Sequence, residues 1–149
     1  MAPVRHRMLV PLDGSPLAEV ALFEALALAK LPASEVILLQ VLPPTENGLR
    51  DGEDAGLDGE RRKAVALRYL NGICSGPAWR NVRTQVVVGV GRPAETILDF
   101  ADQHNVERIV MATHGQTGLG RWVFGSVADK VLRAADRTIV VVYAGRPPV

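Results

Sequence analysis

The chain has few aromatic residues, one cysteine and almost no net charge, and each shortage excludes a class of protein. Phe, Trp and Tyr make up 5% of its 149 residues, so the core must be aliphatic. The single cysteine, Cys74, can form neither an intramolecular disulfide nor a cysteine-based metal cluster. Seventeen basic residues against sixteen acidic residues leave a net charge of +1, which argues against nucleic acid as a partner.

Long hydrophobic runs are lacking as well. The apolar segment from Leu17 to Leu31 is interrupted by three charged residues, so the sequence predicts no membrane-spanning helix. The apolar segment Met8–Leu12 is far too short for the core of a secretory signal peptide. We therefore expect a cytoplasmic protein, and the chain length suits one domain over residues 1–149.

Five short apolar segments alternate with helical patterns. The predicted strands are Met8–Leu12, Glu35–Leu42, Val82–Val88, Arg108–Ala112 and Thr138–Tyr143. The predicted helices are Leu17–Lys30, Arg61–Cys74, a helix starting at Pro93, and Ser126–Ala135. This alternation predicts an α/β fold with a doubly wound parallel sheet. Residues 43–60, rich in glycine and acidic residues, are expected to form an irregular loop.

Polar turns follow the first and fourth predicted strands. Asp13 and Gly14 come after the first strand, and Thr113, His114 and Gly115 come at the end of the fourth. In doubly wound sheets, ligands bind beyond the carboxyl ends of the strands, where the strand order reverses. If these two strands are neighbours at that point, the two turns share one crevice.

The segment from Met111 to Val127 joins a strand to a helix through a glycine-rich loop. Its glycines are Gly115, Gly118, Gly120 and Gly125. Glycine lets backbone N–H groups approach a ligand closely, and a helix N-terminus favours an anion. Ser126, with Asp129 three residues later, is expected to cap the helix. The segment therefore predicts a phosphate site.

Other nucleotide and catalytic motifs are missing from the sequence. It contains no G-x-x-x-x-G-K-[ST] loop and no G-x-G-x-x-G after the first strand. A phosphoacceptor domain needs an acidic pair after that strand, where Asp13 stands alone. His114 has no nucleophile or acid beside it in sequence, so we predict no catalytic residue, and no metal-ligating set is recognised.

Over essentially its whole length the chain resembles the universal stress protein family, within the adenine-nucleotide α-hydrolase-like group. Nucleotide-binding members carry G-x2-G-x9-G-[ST] after the fourth strand. This chain matches with Gly115 and Gly125-Ser126, and has Ala112 in place of the first glycine. The GRPAETI, MATHG, GSVADKVLR and TIVVV segments also look like that family. The resemblance implies the strand order 3-2-1-4-5 with helices on both faces.

The resemblance also implies which residues hold an adenine nucleotide. Asp13 would contact the ribose, Pro11 and Val41 would line the adenine slot, and Met111 and Ala112 would form its floor. The phosphates would lie against Gly115, Gly125, Ser126 and Val127. ATP is the expected ligand, with Mg²⁺ accompanying it. Asp13 has an alternative interpretation as a turn residue before Gly14.

The expected function is that of an ATP-binding stress-response regulator or switch with at most slow ATP turnover. The family pairs through its last strand, which implies a homodimer through Thr138 to Val142, a short apolar strand at a sheet edge. The alternative is a dimeric stress protein that binds no nucleotide and acts through protein contacts. Ala112 keeps this alternative open, because it departs from the glycine motif.

Overall fold

The computed structural model describes residues 3–4, 6–44, 53–114 and 125–144, and these form five strands and five helices. In chain order they are β1 (His6–Leu12), α1 (Pro16–Glu19), α2 (Ala21–Leu28), β2 (Ser34–Leu42), α3 (Glu53–Cys74), β3 (Thr84–Val90), α4 (Pro93–Gln103), β4 (Arg108–His114), α5 (Ser126–Ala134) and β5 (Thr138–Ala144). A 3₁₀ turn over Pro77–Trp79 precedes β3. Within the described ranges, no helix has the length and apolar character needed to cross a membrane.

The strands form one parallel sheet in the order β3-β2-β1-β4-β5. Side chains alternate between its faces, as they must in a strand. Val10 of β1 therefore belongs to a core cluster shared with α2 and α3, whereas its neighbour Leu9 belongs to a second cluster shared with α4 and α5. Helices cover both faces of the sheet, and the predicted fold class is confirmed.

Two predicted segments differ from the structure. Helix α3 begins at Glu53, inside the region that was expected to be irregular, and it contains Gly56 and Gly59. A helix that is already nucleated adds residues cheaply, so two glycines at about 1 kcal/mol each do not stop it. The single helix expected from Leu17 is divided into α1 and α2 at Val20, whose own dihedral angles are helical.

Ion pairs link the amino ends of neighbouring strands. Glu35, at the start of β2, is only 8% exposed. Its carboxylate accepts a hydrogen bond from Arg7 Nε at 3.1 Å and pairs with Arg83 Nε at 3.1 Å. These contacts join the starts of β1 and β2 to the segment just before β3, at the amino ends of the strands. The polar turns lie at the opposite, carboxyl ends of the strands.

Candidate functional site

The sheet parts at the point where its strand order reverses. Strand β1 pairs with β2 over its whole length, and β4 pairs with β5 over its whole length. By contrast, β1 pairs with β4 at Met8 and Leu9, and the described strands form no pair beyond that. Pro11 follows, and a proline has no N–H to donate to a neighbouring strand. The parted carboxyl ends of β1 and β4 therefore open a crevice at the place where such sheets bind ligands.

A cavity of about 330 Å³ fills this crevice. Its walls come from β1 and the turn after it, the starts of α1, α4 and α5, and the ends of β2 and β4. The lining residues are Pro11, Leu12, Asp13, Leu17, Ala18, Val41, Pro93, Ile97, Met111, Ala112, Thr113, His114, Gly125, Ser126, Val127 and Ala128. Every predicted binding residue that the structure describes is among them, and Gly115 lies outside the described residues.

The turn after β1 is held by its own side chains. Asp13 Oδ1 accepts hydrogen bonds from the backbone N–H of Ser15 at 2.9 Å and from Ser15 Oγ at 2.5 Å. Ser15 Oγ in turn accepts from the N–H of Ala18 and caps α1. Gly14 has φ +86°, a left-handed conformation that favours glycine. Asp13 is thus a turn residue whose exposed carboxylate also borders the cavity.

The start of α5 differs from the predicted capping arrangement. The N-cap is Gly125 and Ser126 is the first helical residue, so the expectation that Ser126 caps the helix is wrong. Gly125 accepts the N–H of Asp129 at 2.9 Å through its carbonyl, and as a glycine it supplies no side-chain cap to α5. The amides of the first turn therefore have no partner in the side chain of their own N-cap residue, and they carry the positive end of the helix dipole. This arrangement suits an anion in the adjoining cavity.

Thr113 lines the cavity but was not among the predicted binding residues. Its side chain is 2% exposed, and Thr113 Oγ1 accepts a hydrogen bond from the backbone N–H of Gly125 at 3.0 Å. Thr113 follows Met111 by two residues on β4, and that spacing places both side chains on the α5 face of the sheet. The alternation of side chains along β4 could therefore have placed Thr113 beside Met111 in the predicted site. No sequence pattern could have identified further apolar lining residues such as Leu17, Ala18, Pro93, Ile97 and Ala128.

Ala112 occupies an ordinary position in β4. It pairs with Val142 of β5, and it is half-buried. Among the described residues, the non-glycine positions with positive φ are Ala33 and Asn105. The backbone at Ala112 therefore has no need of glycine.

The pKa of Tyr69 on α3 is affected by burial and by negative charges in and near the turn after β1. Burial of the Tyr69 hydroxyl, followed by the negative charges of Glu19 and Asp13, raises the pKa of Tyr69 to about 12.

The described residues contain no candidate metal site, since no group of three or more His, Cys, Asp or Glu side chains among them is placed to hold a cation.

The chain is similar to known proteins in both sequence and fold. Residues 5–143 match the model of the universal stress protein family. The universal stress protein MJ0577 of Methanocaldococcus jannaschii is 29% identical over 163 residues, covering 95% of this chain and 97% of that protein. The solved structure of MJ0577 has a TM-score of 0.81 and covers 97% of this chain and 99% of that chain.

Two further solved structures share the fold. A universal stress protein in complex with cAMP is 20% identical, with a TM-score of 0.69 over 95% of this chain and 99% of that one. A universal stress protein from Archaeoglobus fulgidus in complex with dAMP is 20% identical, with a TM-score of 0.58 over 93% of this chain and 98% of that one.

Proposed function

Because the chain belongs to the universal stress protein family, we propose that it binds an adenine nucleotide, with ATP as its ligand in the cytoplasm. The observation that carries the proposal is the start of α5, a helix whose N-cap is a glycine and whose first residues line the cavity at the switch point. The cAMP and dAMP complexes of two proteins with this fold support an adenine ligand.

The cavity divides by chemistry into an apolar part and a polar part. Pro11, Val41 and Met111 supply apolar surface for the adenine ring, as nucleotide pockets require. Asp13 stands at the rim with a carboxylate that can accept hydrogen bonds from ribose hydroxyls. Ala112 completes the floor.

The phosphates are assigned to the start of α5. Ser126 and Val127 contribute backbone N–H groups, and Ser126 adds a hydroxyl. Gly125 leaves room beside them, because a Cβ built on it would meet nothing within 4 Å. Gly115, outside the described residues, remains a proposed phosphate contact.

We propose that Mg²⁺ accompanies the triphosphate. Asp13 is the single carboxylate among the described lining residues, and its Oδ1 is already engaged by Ser15. Mg²⁺ commonly keeps several water ligands and takes its remaining ligands from substrate phosphates. The protein then need supply little to the cation.

The proposed role is that of a nucleotide-dependent stress-response regulator or switch, with at most slow turnover of ATP. Rapid phosphoryl transfer needs groups that hold metal ions, orient the nucleophile and neutralise the developing charge. Besides backbone amides and the hydroxyls of Thr113 and Ser126, the described cavity wall offers one carboxylate, Asp13, and one imidazole, His114, and it includes no lysine or arginine. We assign no catalytic residue.

We further propose a homodimer that pairs through Thr138 to Val142 of β5. Among the described strands, β5 lies at the edge of the sheet and has β4 as its one neighbour. An apolar edge strand presents unpaired backbone groups that a second strand can satisfy. A second copy of the chain carries the same edge and suits it by symmetry.

The test is binding of nucleotide to the purified protein. Mass spectrometry of the denatured protein should release an adenine nucleotide, and calorimetry on the emptied protein should show heat with ATP and none with GTP. A Val41→Phe substitution fills the apolar part of the cavity and should weaken ATP binding roughly tenfold or more. Val90→Phe is the matched control, since Val90 is 53% exposed and lies outside the cavity.

Absence of heat with every adenylate, together with a purified protein free of nucleotide, would refute ATP binding. The dimer acting through protein contacts would then be the better description. Release of phosphate over many turnovers on addition of MgATP would instead show a dedicated enzyme.

A further inference from the structure

One hydrogen bond ties the sheet to the start of α5. Thr113 Oγ1, near the end of β4, accepts the backbone N–H of Gly125 at 3.0 Å. That N–H lies before the first helical residue, so it has no acceptor within the helix. Thr113 is 2% exposed, so water has little access to its hydroxyl, and removing that hydroxyl would cost the Gly125 N–H this hydrogen bond. The bond therefore fixes Gly125 relative to β4.

Gly125 in turn fixes the helix. Its carbonyl accepts the N–H of Asp129 at 2.9 Å, so this one residue is bonded to β4 through its nitrogen and to α5 through its oxygen. Ser126 and Val127 follow it directly and line the cavity, as Thr113 does. Gly125 has a φ of −60°, which any residue can adopt, so its placement does not depend on the conformational freedom of glycine. Its placement depends on the hydrogen bond that it donates to Thr113 of β4.

We propose that Thr113 is a positioning residue of the nucleotide site, whose hydroxyl holds the first amides of α5 where the phosphates bind. This role rests on the proposed function and makes it more specific. It implies that the Thr113 hydroxyl contributes to affinity for the phosphate groups and not to affinity for the nucleoside. Preorganised donors bind more tightly because less freedom is lost on binding.

The experiment compares two substitutions and two ligands. Thr113→Val keeps the shape of the side chain but removes Oγ1, and Thr113→Ser keeps the hydroxyl. In calorimetry, Thr113→Val should bind ATP roughly tenfold more weakly, the cost of about one hydrogen bond, with adenosine affinity within about twofold of wild type. Thr113→Ser should bind both ligands within about twofold of wild type.

Equal losses for ATP and adenosine in Thr113→Val would overturn the proposal, because they would show a general effect on the cavity. Unchanged ATP affinity would overturn it as well. If the wild-type protein binds neither ligand, the proposed function itself fails and the positioning role falls with it.

Amide hydrogen exchange gives a test that needs neither ligand nor a folded Thr113→Val variant. The Gly125 amide of the wild-type protein should be protected, and it should stay protected in Thr113→Ser. Exchange of this amide at the rate of an open loop in the wild-type protein would overturn the proposal directly.

Discussion

Leu9 of β1 lies opposite Ile109 of β4, and the described strands form no pair after this one. Each strand nevertheless keeps its other neighbour to the end, so Leu12 still pairs with Gln40 of β2 and Ala112 still pairs with Val142 of β5. The crevice is therefore a gap between two well-paired halves of one sheet. Its walls are held by backbone hydrogen bonds that do not depend on a ligand, and a site of this kind is preformed.

This pairing leads to a prediction for Ala112→Gly, the substitution that restores the family's glycine. Because Ala112 sits in a regular strand, glycine gains nothing there and loses conformational entropy on folding. We expect ATP affinity within about twofold of wild type and a free energy of unfolding lower by about 0.5 to 1 kcal/mol. Calorimetry and urea denaturation measure the two effects.

Ala144→Gly is the matched control for that substitution. Ala144 is also half-buried and ends β5, but it lies outside the cavity. It should lower stability without changing affinity. A gain of roughly tenfold in ATP affinity for Ala112→Gly alone would contradict the prediction, since it would mean that the Ala112 methyl group limits the approach of the nucleotide.

A second prediction concerns Gly125→Asn. Asparagine is a good N-cap residue, and its side chain would accept an amide hydrogen of the first turn. A Cβ at this position meets nothing within 4 Å, so the substitution fits. We expect stability to rise by a few tenths of a kcal/mol, about the difference between these caps. ATP affinity should fall roughly fivefold, because the new cap competes with phosphate for the same amides.

Gly125→Ala separates this competition from simple bulk. Alanine adds a methyl group but no acceptor, so ATP affinity should stay closer to wild type while stability falls slightly. Adenosine binding should be unchanged in both variants. If Gly125→Asn binds ATP as tightly as wild type, the first-turn amides of α5 are not the phosphate site.

The alternating apolar pattern was sufficient to predict the fold class, and the family resemblance supplied the strand order that places the crevice between β1 and β4. The details of the helix starts were not predicted correctly. Continuous apolar strands such as Glu35–Leu42 carry a strong pattern, because both faces are covered. The cap of α5 was predicted wrongly at Ser126, because Gly125 and Ser126 are both acceptable caps and backbone geometry decides between them. The extension of α3 to Glu53 was missed, because glycine content outweighed helix propagation in the prediction.

Contacts between distant segments were the least accessible to sequence reasoning. The bond from the Gly125 N–H to Thr113 Oγ1 depends on where the start of α5 packs against the end of β4, and local residue preferences do not encode that placement. The same holds for the influence of Asp13 on Tyr69, which requires α3 to pack beside the turn after β1. Both interactions follow from the topology once the sheet is formed.

The third prediction follows from the raised pKa of Tyr69. Burial and the charges of Glu19 and Asp13 raise this pKa from 10.0 to about 12, so the unfolded chain loses the phenolic proton at lower pH than the folded protein does. The folded state then binds more protons between these values, and stability must fall as pH rises from about 10 to about 12. Tyr69→Phe should lack this part of the fall in urea denaturation.

Tyr143→Phe is the control for that measurement, since Tyr69 and Tyr143 are the two tyrosines of the chain. It should retain the decline of the wild-type protein. Near-ultraviolet absorbance should also show ionisation of Tyr69 at about pH 12 in the folded protein, and the signal should be missing from Tyr69→Phe. Ionisation of this tyrosine near pH 10 would contradict the arrangement of charges around it.

The last prediction concerns the edges of the sheet, β5 on one side and β3 on the other. If two copies pair through β5, light scattering should show a dimer at working concentrations in the micromolar range, and Val141→Lys should shift it to monomer. A lysine on an edge strand disfavours pairing, because its charge would have to be buried against the second copy. Val90→Lys places the same charge on the exposed end of the opposite edge and should leave the dimer intact. A wild-type monomer would refute the proposed dimer, and a dimer disrupted by Val90→Lys alone would place the interface at β3, so the pair of variants identifies the edge as well as the oligomeric state.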